Sequence, residues 1–133
     1  MISWFEKHNK LSLLITIIIA GIIFYMSSQI FEQGIGSGGI GFKALAYHLI
    51  AFFSLAFFLS VSLVRGEHKK FISIAIILSI LYGISDEIHQ FFVPGRVSSI
   101  YDIFLNSFGI ILASTLYLIS LEYRTRKHYS PSL

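Results

Sequence analysis

Four long apolar runs alternate with short polar segments along the chain. The runs cover about residues 11–30, 42–64, 71–91 and 99–121. Each is close to the roughly 20 apolar residues that an α-helix needs to cross about 30 Å of hydrocarbon. We therefore expect an all-α fold in which residues 1–133 form a single domain, an integral membrane bundle of four transmembrane helices.

The composition supports lipid as the solvent of these runs. Hydrophobic residues make up 55% of the chain and charged residues only 13%, whereas a soluble domain has about 25% charged residues. A soluble chain of this size buries only about two-thirds of its surface on folding, so its core is too small for this apolar excess. The chain contains no cysteine, which excludes disulfides and thiolate metal sites.

The basic residues predict the orientation of the bundle. Of the ten Lys and Arg residues, only Lys43 and Arg96 lie in the connections after the first and third runs. Lys and Arg are enriched in cytoplasmic segments, so both termini are expected in the cytoplasm. The net charge of +3 lies in short juxtamembrane clusters, which favours anionic lipid headgroups as partners and not nucleic acid. The other eight basic residues are Lys7, Lys10, Arg65, Lys69, Lys70, Arg124, Arg126 and Lys127.

Polar side chains are concentrated where the third run ends and the fourth begins. A charged side chain at the bilayer centre costs roughly 2.5–3.5 kcal/mol on insertion scales, so these groups are expected to pair, to lie near a membrane surface, or both. Such a cluster in a membrane protein is a candidate functional site. Its members are Asp86, Glu87, His89, Gln90, Arg96, Asp102 and Asn106.

The helical period places these side chains on defined faces. Residues three, four and seven apart share a face, so Asp86 and Gln90 lie on a small and polar stripe of the third span. The opposite stripe, which includes Ile77 and Ile88, is apolar and is expected to face lipid. Glu87 lies toward the edge of the polar arc, within reach of a neighbouring helix or the surface. The polar stripe of the fourth span contains Ser99, Asp102, Asn106, Gly109 and Ala113.

The Pro94-Gly95 turn is expected to bring the two polar stripes together. Arg96 then lies between them, where its guanidinium suits carboxylate partners such as Asp86, Glu87 and Asp102. Ser99 and Asp102 have the spacing of a capping box at the start of the fourth helix.

Two further sets of residues are candidates for the same site. His48 shares a stripe of the second span with Ala51 and Ser62, so it is expected to face inward. The pattern fits a hydrogen-bonded structural histidine as well as a member of the site. At the outer end of the first span, Tyr25, Ser27, Ser28 and Gln29 are further candidate lining residues.

The pattern from residue 86 to residue 109 resembles the VanZ-like family of small bacterial membrane proteins. Asp86-Glu87-Ile88-His89-Gln90 is followed by Pro94-Gly95-Arg96, Asp102, Asn106 and Gly109. The resemblance extends to Ser27-Ser28-Gln29 and to His48, followed by Phe52 and Leu55. It implies a role in the bacterial cell envelope, with the protein in the cytoplasmic membrane. The family is named for a protein associated with resistance to the glycopeptide teicoplanin.

The first functional hypothesis is a binding protein with an outward-facing polar site. Its ligand would be a lipid headgroup, a lipid-linked cell-wall precursor or a lipophilic glycopeptide, with membrane lipids as the surrounding partners. Arg96 would contact phosphate or carboxylate, while Gln90 and Asn106 orient it. The remaining members of the ligand-binding set are Asp86, Glu87, His89, Asp102 and His48.

The second hypothesis is a membrane-embedded enzyme that acts on a lipid-linked phosphate. His89 would act as general base, oriented by Asp86 or Glu87, with the other carboxylate as acid or metal ligand. Two carboxylates and a histidine could also hold a divalent cation, but no compact zinc motif such as H-E-x-x-H is present in the sequence, so we expect neither a metal nor a cofactor.

A third interpretation is structural: the polar cluster is an internal ion-pair network that holds the helices together. Removal of Asp86 or Arg96 would then cause loss of folded protein, because a buried partner is left unpaired. A transporter is less favoured, since four spans without an internal repeat leave little room for alternating access.

Overall fold

The computed structural model describes residues 1–29, 42–96 and 98–129. The described residues are helices joined by short turns and contain no strand. The glycine-rich connection that the sequence places at residues 31–41 lies outside them. The five helices are α1 (Ile2–Lys7), α2 (Asn9–Ser27), α3 (Phe42–Val64), α4 (Phe71–Phe92) and α5 (Ile100–Tyr129).

Four of the helices are long and apolar enough to cross a membrane, which confirms the predicted number of spans. The candidate spans are Asn9–Ser27, Leu45–Val64, Phe71–Phe92 and Ile100–Lys127. Their outward faces carry large exposed apolar side chains such as Ile17, Ile77 and Phe104. Water would penalise this much exposed apolar surface, whereas lipid does not. The chain is therefore a multi-pass helical membrane protein.

Two observed helix ends differ from the predicted span ends. Helix α2 ends at Ser27 rather than near residue 30, and α5 continues to Tyr129 rather than ending near residue 121. The added turns of α5 are held by ion pairs that the hydrophobic pattern does not reveal. Lys69 lies 3.5 Å from Glu122, and Arg124 lies 2.7 Å from the Glu6 carboxylate.

Helix α3 is the central element, in contact with the other four helices. Its most extensive partner is α5, where Gly109 and the buried Ala113 allow the two backbones to approach closely. One buried apolar cluster consists of Ile23, Phe52, Leu55, Ala56, Ile110 and Ala113. A second consists of Val61, Val64, Ile72, Tyr117 and Leu121.

A buried network around Glu6 brings both ends of the chain together. The Tyr117 hydroxyl donates to Glu6 Oε1 at 2.7 Å, and Arg124 donates from its two terminal nitrogens to the two carboxylate oxygens at 2.7 Å each. The Gly66 N–H donates to the Tyr117 hydroxyl oxygen at 3.3 Å. The three predicted basic segments therefore share one end of the bundle, here called the basic end. Sequence periodicity did not single out Glu6.

The Glu6 carboxyl makes the stability of the basic end depend on pH. Burial raises its pKa, but hydrogen bonds from Arg124 and Tyr117 and the Arg124 charge outweigh burial and hold the pKa below its ordinary value. A lowered folded pKa adds stability above the unfolded pKa of about 4.3, and this stability is lost as pH falls through the folded pKa.

At pH 7 in detergent, we expect the melting temperature of the wild-type protein to exceed that of Glu6→Gln. This difference in melting temperature should become smaller below about pH 4.3. Thermal unfolding of both proteins across this pH range measures the effect. Glu67→Gln, a change at an exposed acid of the same end, serves as control. A gap that stays constant or widens in acid would contradict the assignment.

The polar and apolar faces predicted for α4 are confirmed. Asp86 and Gln90 are buried, while Ile77 and Ile88 are exposed. The helix ends as its sequence dictates: Val93, before Pro94, is extended, because proline disfavours the helical conformation in the preceding residue. Gly95 then adopts a φ of 80°, which glycine tolerates because it has no Cβ. This turn directs the chain back toward α5.

Candidate functional site

The polar side chains lie at the end of the bundle opposite the basic end, where α2 and α4 finish and α5 starts. They form two clusters in the described part of the chain. The Asp86 cluster comprises Ser27, Asp86, Gln90 and Arg96. The His48 cluster comprises His48, Glu87, Asp102 and Asn106.

The Asp86 cluster is a chain of hydrogen bonds from α2 to the turn after α4. The Ser27 hydroxyl donates to Asp86 Oδ1 at 2.5 Å, and the Gln90 amide donates to Asp86 Oδ2 at 2.9 Å. The Arg96 guanidinium donates to Gln90 Oε1 at 3.0 Å. Ser27, Asp86 and Gln90 are all buried, and Arg96 is half-buried. The predicted pairing of Arg96 with a carboxylate stays a prediction.

His89 lies at the rim of the site and contacts α2. Its Nε2 is 3.0 Å from the Ser28 hydroxyl, and its ring lies 4.6 Å from that of Phe24, centre to centre. The carboxylates of Asp86 and Glu87 make hydrogen bonds to other groups. These contacts give no support to the prediction that His89 is a general base oriented by Asp86 or Glu87. Among the first-span candidates, Ser27 and Ser28 do contribute to the site, while Tyr25 is exposed.

The His48 cluster brings together side chains from three helices. His48 Nδ1 lies 3.0 Å from Asn106 Oδ1. Potential ligand atoms of His48, Glu87 and Asp102 all lie within 4.8 Å of one another. His48, Glu87 and Asn106 are 4%, 1% and 1% exposed, and Asp102 is half-buried. His48 is therefore buried and hydrogen-bonded to Asn106, which fits both alternatives, a structural histidine and a member of the polar site.

Glu87 performs part of the role that the sequence assigned to Asp102. The Ser99 N–H donates to Glu87 Oε2 at 3.2 Å, and the Tyr101 N–H donates to the Ser99 hydroxyl at 3.2 Å. Ser99 is thus the N-cap of α5, as predicted. In a capping box, the acidic residue three positions further on accepts from the N–H of the N-cap residue. Here the acceptor of the Ser99 N–H is Glu87 of α4 and not Asp102, so this part of the predicted capping box is wrong. Spacing within one helix cannot reveal an acceptor that belongs to another helix.

Three buried polar atoms near the site have no hydrogen-bond partner among the described residues. They are Glu87 Oε1, Asn106 Nδ2 and the Tyr47 hydroxyl. The Tyr47 ring packs edge-on against His48, with ring centres 5.6 Å apart. Sequence reasoning missed Tyr47, because its only distinction in the sequence is its position beside His48. Buried polar groups in native proteins are nearly always satisfied, so these three atoms at this end of the bundle could pair with a ligand or a water.

The fold and the site together define a class: a four-span helical membrane protein with a buried polar site at one end. The family described as VanZ/LLP1 has a model that matches residues 12–121. The chain therefore belongs to the VanZ/LLP1 family, and the resemblance found in the sequence is confirmed. Searches of curated proteins and of solved structures find no match.

Proposed function

We propose that this protein is a bacterial cell-envelope protein that binds the phosphate-bearing headgroup of a membrane lipid or a lipid-linked cell-wall precursor. The basic end faces the cytoplasm, as the positive-inside rule favours. The polar site then opens toward the outer leaflet of the cytoplasmic membrane, where cell-wall precursors and glycopeptides are encountered. A lipophilic glycopeptide of the teicoplanin type is a further ligand of the same chemistry, since it carries both acyl chain and polar groups.

The placement of Arg96 carries this proposal. A half-buried guanidinium on an extramembrane turn is held by Gln90, which is itself held by the buried Asp86. An arginine can contact Gln90 and a phosphate at once, because its guanidinium has five N–H donors in a rigid fork that matches phosphate. A guanidinium positioned in advance loses less entropy when a ligand binds.

A groove beside Asp102 supports lipid as the ligand. It has a volume of about 410 Å³ on the lateral surface of the bundle. Asp102 is the charged residue of this otherwise largely apolar lining. A groove of this kind suits an acyl chain whose polar headgroup reaches the site from the side. The lining residues are Leu45, Tyr101, Asp102, Phe104, Leu105 and Phe108.

We expect Arg96→Ala to weaken retention of anionic lipid about 10-fold or more, because a charge-assisted hydrogen bond contributes about 1.5–3 kcal/mol. Arg96→Lys should be intermediate, since it keeps the charge but loses the fork. Mass spectrometry of the purified protein, released from detergent micelles in the presence of phosphatidylglycerol, measures bound lipid directly.

Arg126→Ala is the matched control, because Arg126 is an exposed arginine at the basic end. It should reduce lipid retention less than Arg96→Ala does, because an exposed arginine attracts anionic headgroups only through a screened charge. Equal lipid retention by Arg96→Ala and Arg126→Ala, with both proteins folded by thermal melting, would refute the proposal. Expression of the wild-type gene in a susceptible host, with teicoplanin sensitivity as the readout, tests the glycopeptide as ligand.

The enzyme alternative is favoured by one observation, the convergence of His48 with Glu87 and Asp102. The contacts of the described residues favour His48 over His89 as the base. In such a reaction a water loses a proton to His48 and attacks phosphorus, while the lipid oxygen leaves and takes up the proton. Release of phosphate from a lipid phosphate by the purified protein, lost in His48→Ala, would support this alternative over simple binding.

A further inference from the structure

We infer that His48, Glu87 and Asp102 bind a divalent transition-metal cation, with Zn²⁺ the best match to this set of ligands. The site stands on its own geometry and does not depend on lipid binding. No metal was expected from the sequence, because motifs such as H-E-x-x-H detect only ligands that share one helix. These three ligands come from α3, α4 and α5, so no short motif contains them.

The ligand atoms are close enough to surround one ion. One imidazole nitrogen and two carboxylate oxygens lie within 4.8 Å of one another. Bonds of about 2.0–2.2 Å to Zn²⁺ in tetrahedral geometry place ligands roughly 3.4 Å apart. Small rotations of the Glu87 and Asp102 side chains would close the remaining gap. Three protein ligands leave a fourth position open, as in catalytic zinc sites.

The charge and burial of the cluster favour a bound cation. Glu87 is 1% exposed and its Oε1 has no hydrogen-bond partner among the described residues. Removing a carboxylate from water is costly unless a counter-charge compensates for it. A second carboxylate within 4.8 Å, on Asp102, adds repulsion between like charges. A divalent cation satisfies the orphaned oxygen and neutralises both acids.

Asn106 has the position of a residue that orients a metal ligand. Its Oδ1 lies 3.0 Å from His48 Nδ1, so an N–H on Nδ1 donates to it and leaves Nε2 as the lone-pair donor. Metal-binding histidines usually donate their other N–H to an oxygen in this way, and loss of that oxygen typically weakens metal binding 10–100-fold. Asn106 Nδ2, buried and without a partner in the described part of the chain, can donate to a water or an oxyanion on the ion.

The choice of Zn²⁺ follows from the ligand types. Carboxylate and imidazole ligands together suit Zn²⁺ and Mn²⁺, whereas Mg²⁺ and Ca²⁺ prefer oxygen ligands alone. Affinity for Zn²⁺ exceeds that for Mn²⁺ at a given nitrogen and oxygen site. We therefore expect Zn²⁺ to bind more tightly than Mn²⁺, and Mg²⁺ least tightly.

The test is a titration of tag-free protein in detergent with Zn²⁺, after removal of metal by a chelator. The wild type should bind one Zn²⁺ that Glu87→Gln and His48→Gln bind at least 10-fold more weakly. Gln at position 87 can still accept from the Ser99 N–H, so this variant is expected to fold. Asn106→Leu should weaken binding about 10–100-fold. Co²⁺ in place of Zn²⁺ provides an absorption spectrum that reports coordination by His48.

Two controls separate this site from other histidines and from a folding defect. His89→Gln, a change at the nearby rim histidine outside the cluster, should bind Zn²⁺ as the wild type does. The triple variant His48→Gln/Glu87→Gln/Asp102→Asn keeps the histidines of the basic end and should lose the ion. Thermal melting without metal establishes that each variant is folded.

Two outcomes would overturn the site. Equal Zn²⁺ binding by the triple variant would assign the ion to surface histidines. Absence of Zn²⁺ binding by folded wild type would mean that a shared proton or Arg96 neutralises the two acids. Lipid retention is measured on the same proteins as a separate readout. If Zn²⁺ binding fails while lipid retention is normal, the metal site is overturned and the lipid proposal stands.

Discussion

Gly109→Leu is expected to abolish the folded bundle, and Gly109→Ala to destabilise it by about 1–3 kcal/mol, the usual cost of overpacking a well-packed core. A Cβ at Gly109 would lie 2.8 Å from the Leu49 carbonyl oxygen and 3.2 Å from the Phe53 nitrogen. Both are backbone atoms of α3, so no side-chain rotation relieves the clash. The two helices would have to separate along the most extensive interface of the bundle.

Gly21 provides the matched control for this prediction. It also lies within a transmembrane helix, but a Cβ there would have no atom within 4 Å. Gly21→Ala should be neutral or stabilising by up to about 1 kcal/mol, because Ala favours helix more than Gly does. Unfolding in mixed detergent micelles measures both variants. Similar stability of Gly109→Ala and Gly21→Ala would contradict the helix contact that the structure places at Gly109.

The hydrophobic pattern was sufficient to predict the transmembrane helices, because lipid imposes a simple rule on every residue that faces it. Backbone groups must be paired within a helix, and outward side chains must be apolar. The exposed Ile77 and Ile88 and the buried Asp86 and Gln90 follow this rule. The same rule says nothing about helix ends outside the hydrocarbon. The extension of α5 to Tyr129 therefore became evident only from the contact of Arg124 with Glu6.

The location of the polar side chains at one end of the bundle was predictable from the sequence, but their pairing was not. A charged residue within an apolar run stands out in a sequence because placing its charge in hydrocarbon costs free energy. The structure brings Asp86, Gln90, Asn106 and His48 to one end of the bundle. Their partners depend on helix rotation and tilt, which a single sequence does not specify. Glu87 was expected at the edge of its arc, within reach of a neighbouring helix or the surface, and the structure shows which: it is buried and accepts from the Ser99 N–H at the start of α5.

The sequence predicted one polar cluster, whereas the structure contains two clusters with different partners. Asp86 is satisfied by Ser27 and Gln90, so it resembles a structural anchor that holds Arg96 in place. Glu87 retains an oxygen without a partner in the described part of the chain, so it is the acid available for a ligand. Adjacent acids in the sequence thus have different roles because successive helical positions face different neighbours.

The second large effect is expected at Asp86. Asp86→Ala removes the acceptor of the Ser27 hydroxyl and of the Gln90 amide. A buried donor left without a partner costs about 1–3 kcal/mol, and the Gln90 amide keeps the Ser27 oxygen at 3.4 Å as a second, weak acceptor. We therefore expect a loss of roughly 1–6 kcal/mol. Gln90 would also be free to rotate away from Arg96, and lipid retention should fall with stability.

A double-mutant cycle with Ser27→Ala and Asp86→Asn isolates the contact between α2 and α4. Asp86→Asn keeps an acceptor for the Ser27 hydroxyl but removes the charge. A hydrogen bond to a charged group contributes about 1.5–3 kcal/mol and a neutral one about 0.5–1.5 kcal/mol, so the coupling energy, measured by unfolding in detergent micelles, should be about 1 kcal/mol. The control cycle combines Asp86→Asn with Gly21→Ala instead of Ser27→Ala, and its coupling energy should be near zero.

The cycle also separates the structural interpretation from the binding one. If the cluster only holds the helices together, each variant should lose lipid in proportion to its loss of folded protein. If Asp86 positions Arg96 for a ligand, folded Asp86→Asn should retain less lipid than folded Ser27→Ala at equal stability. A coupling energy near zero would mean that Ser27 and Asp86 do not share a hydrogen bond in the membrane, and the positioning of Arg96 through Asp86 would then be wrong.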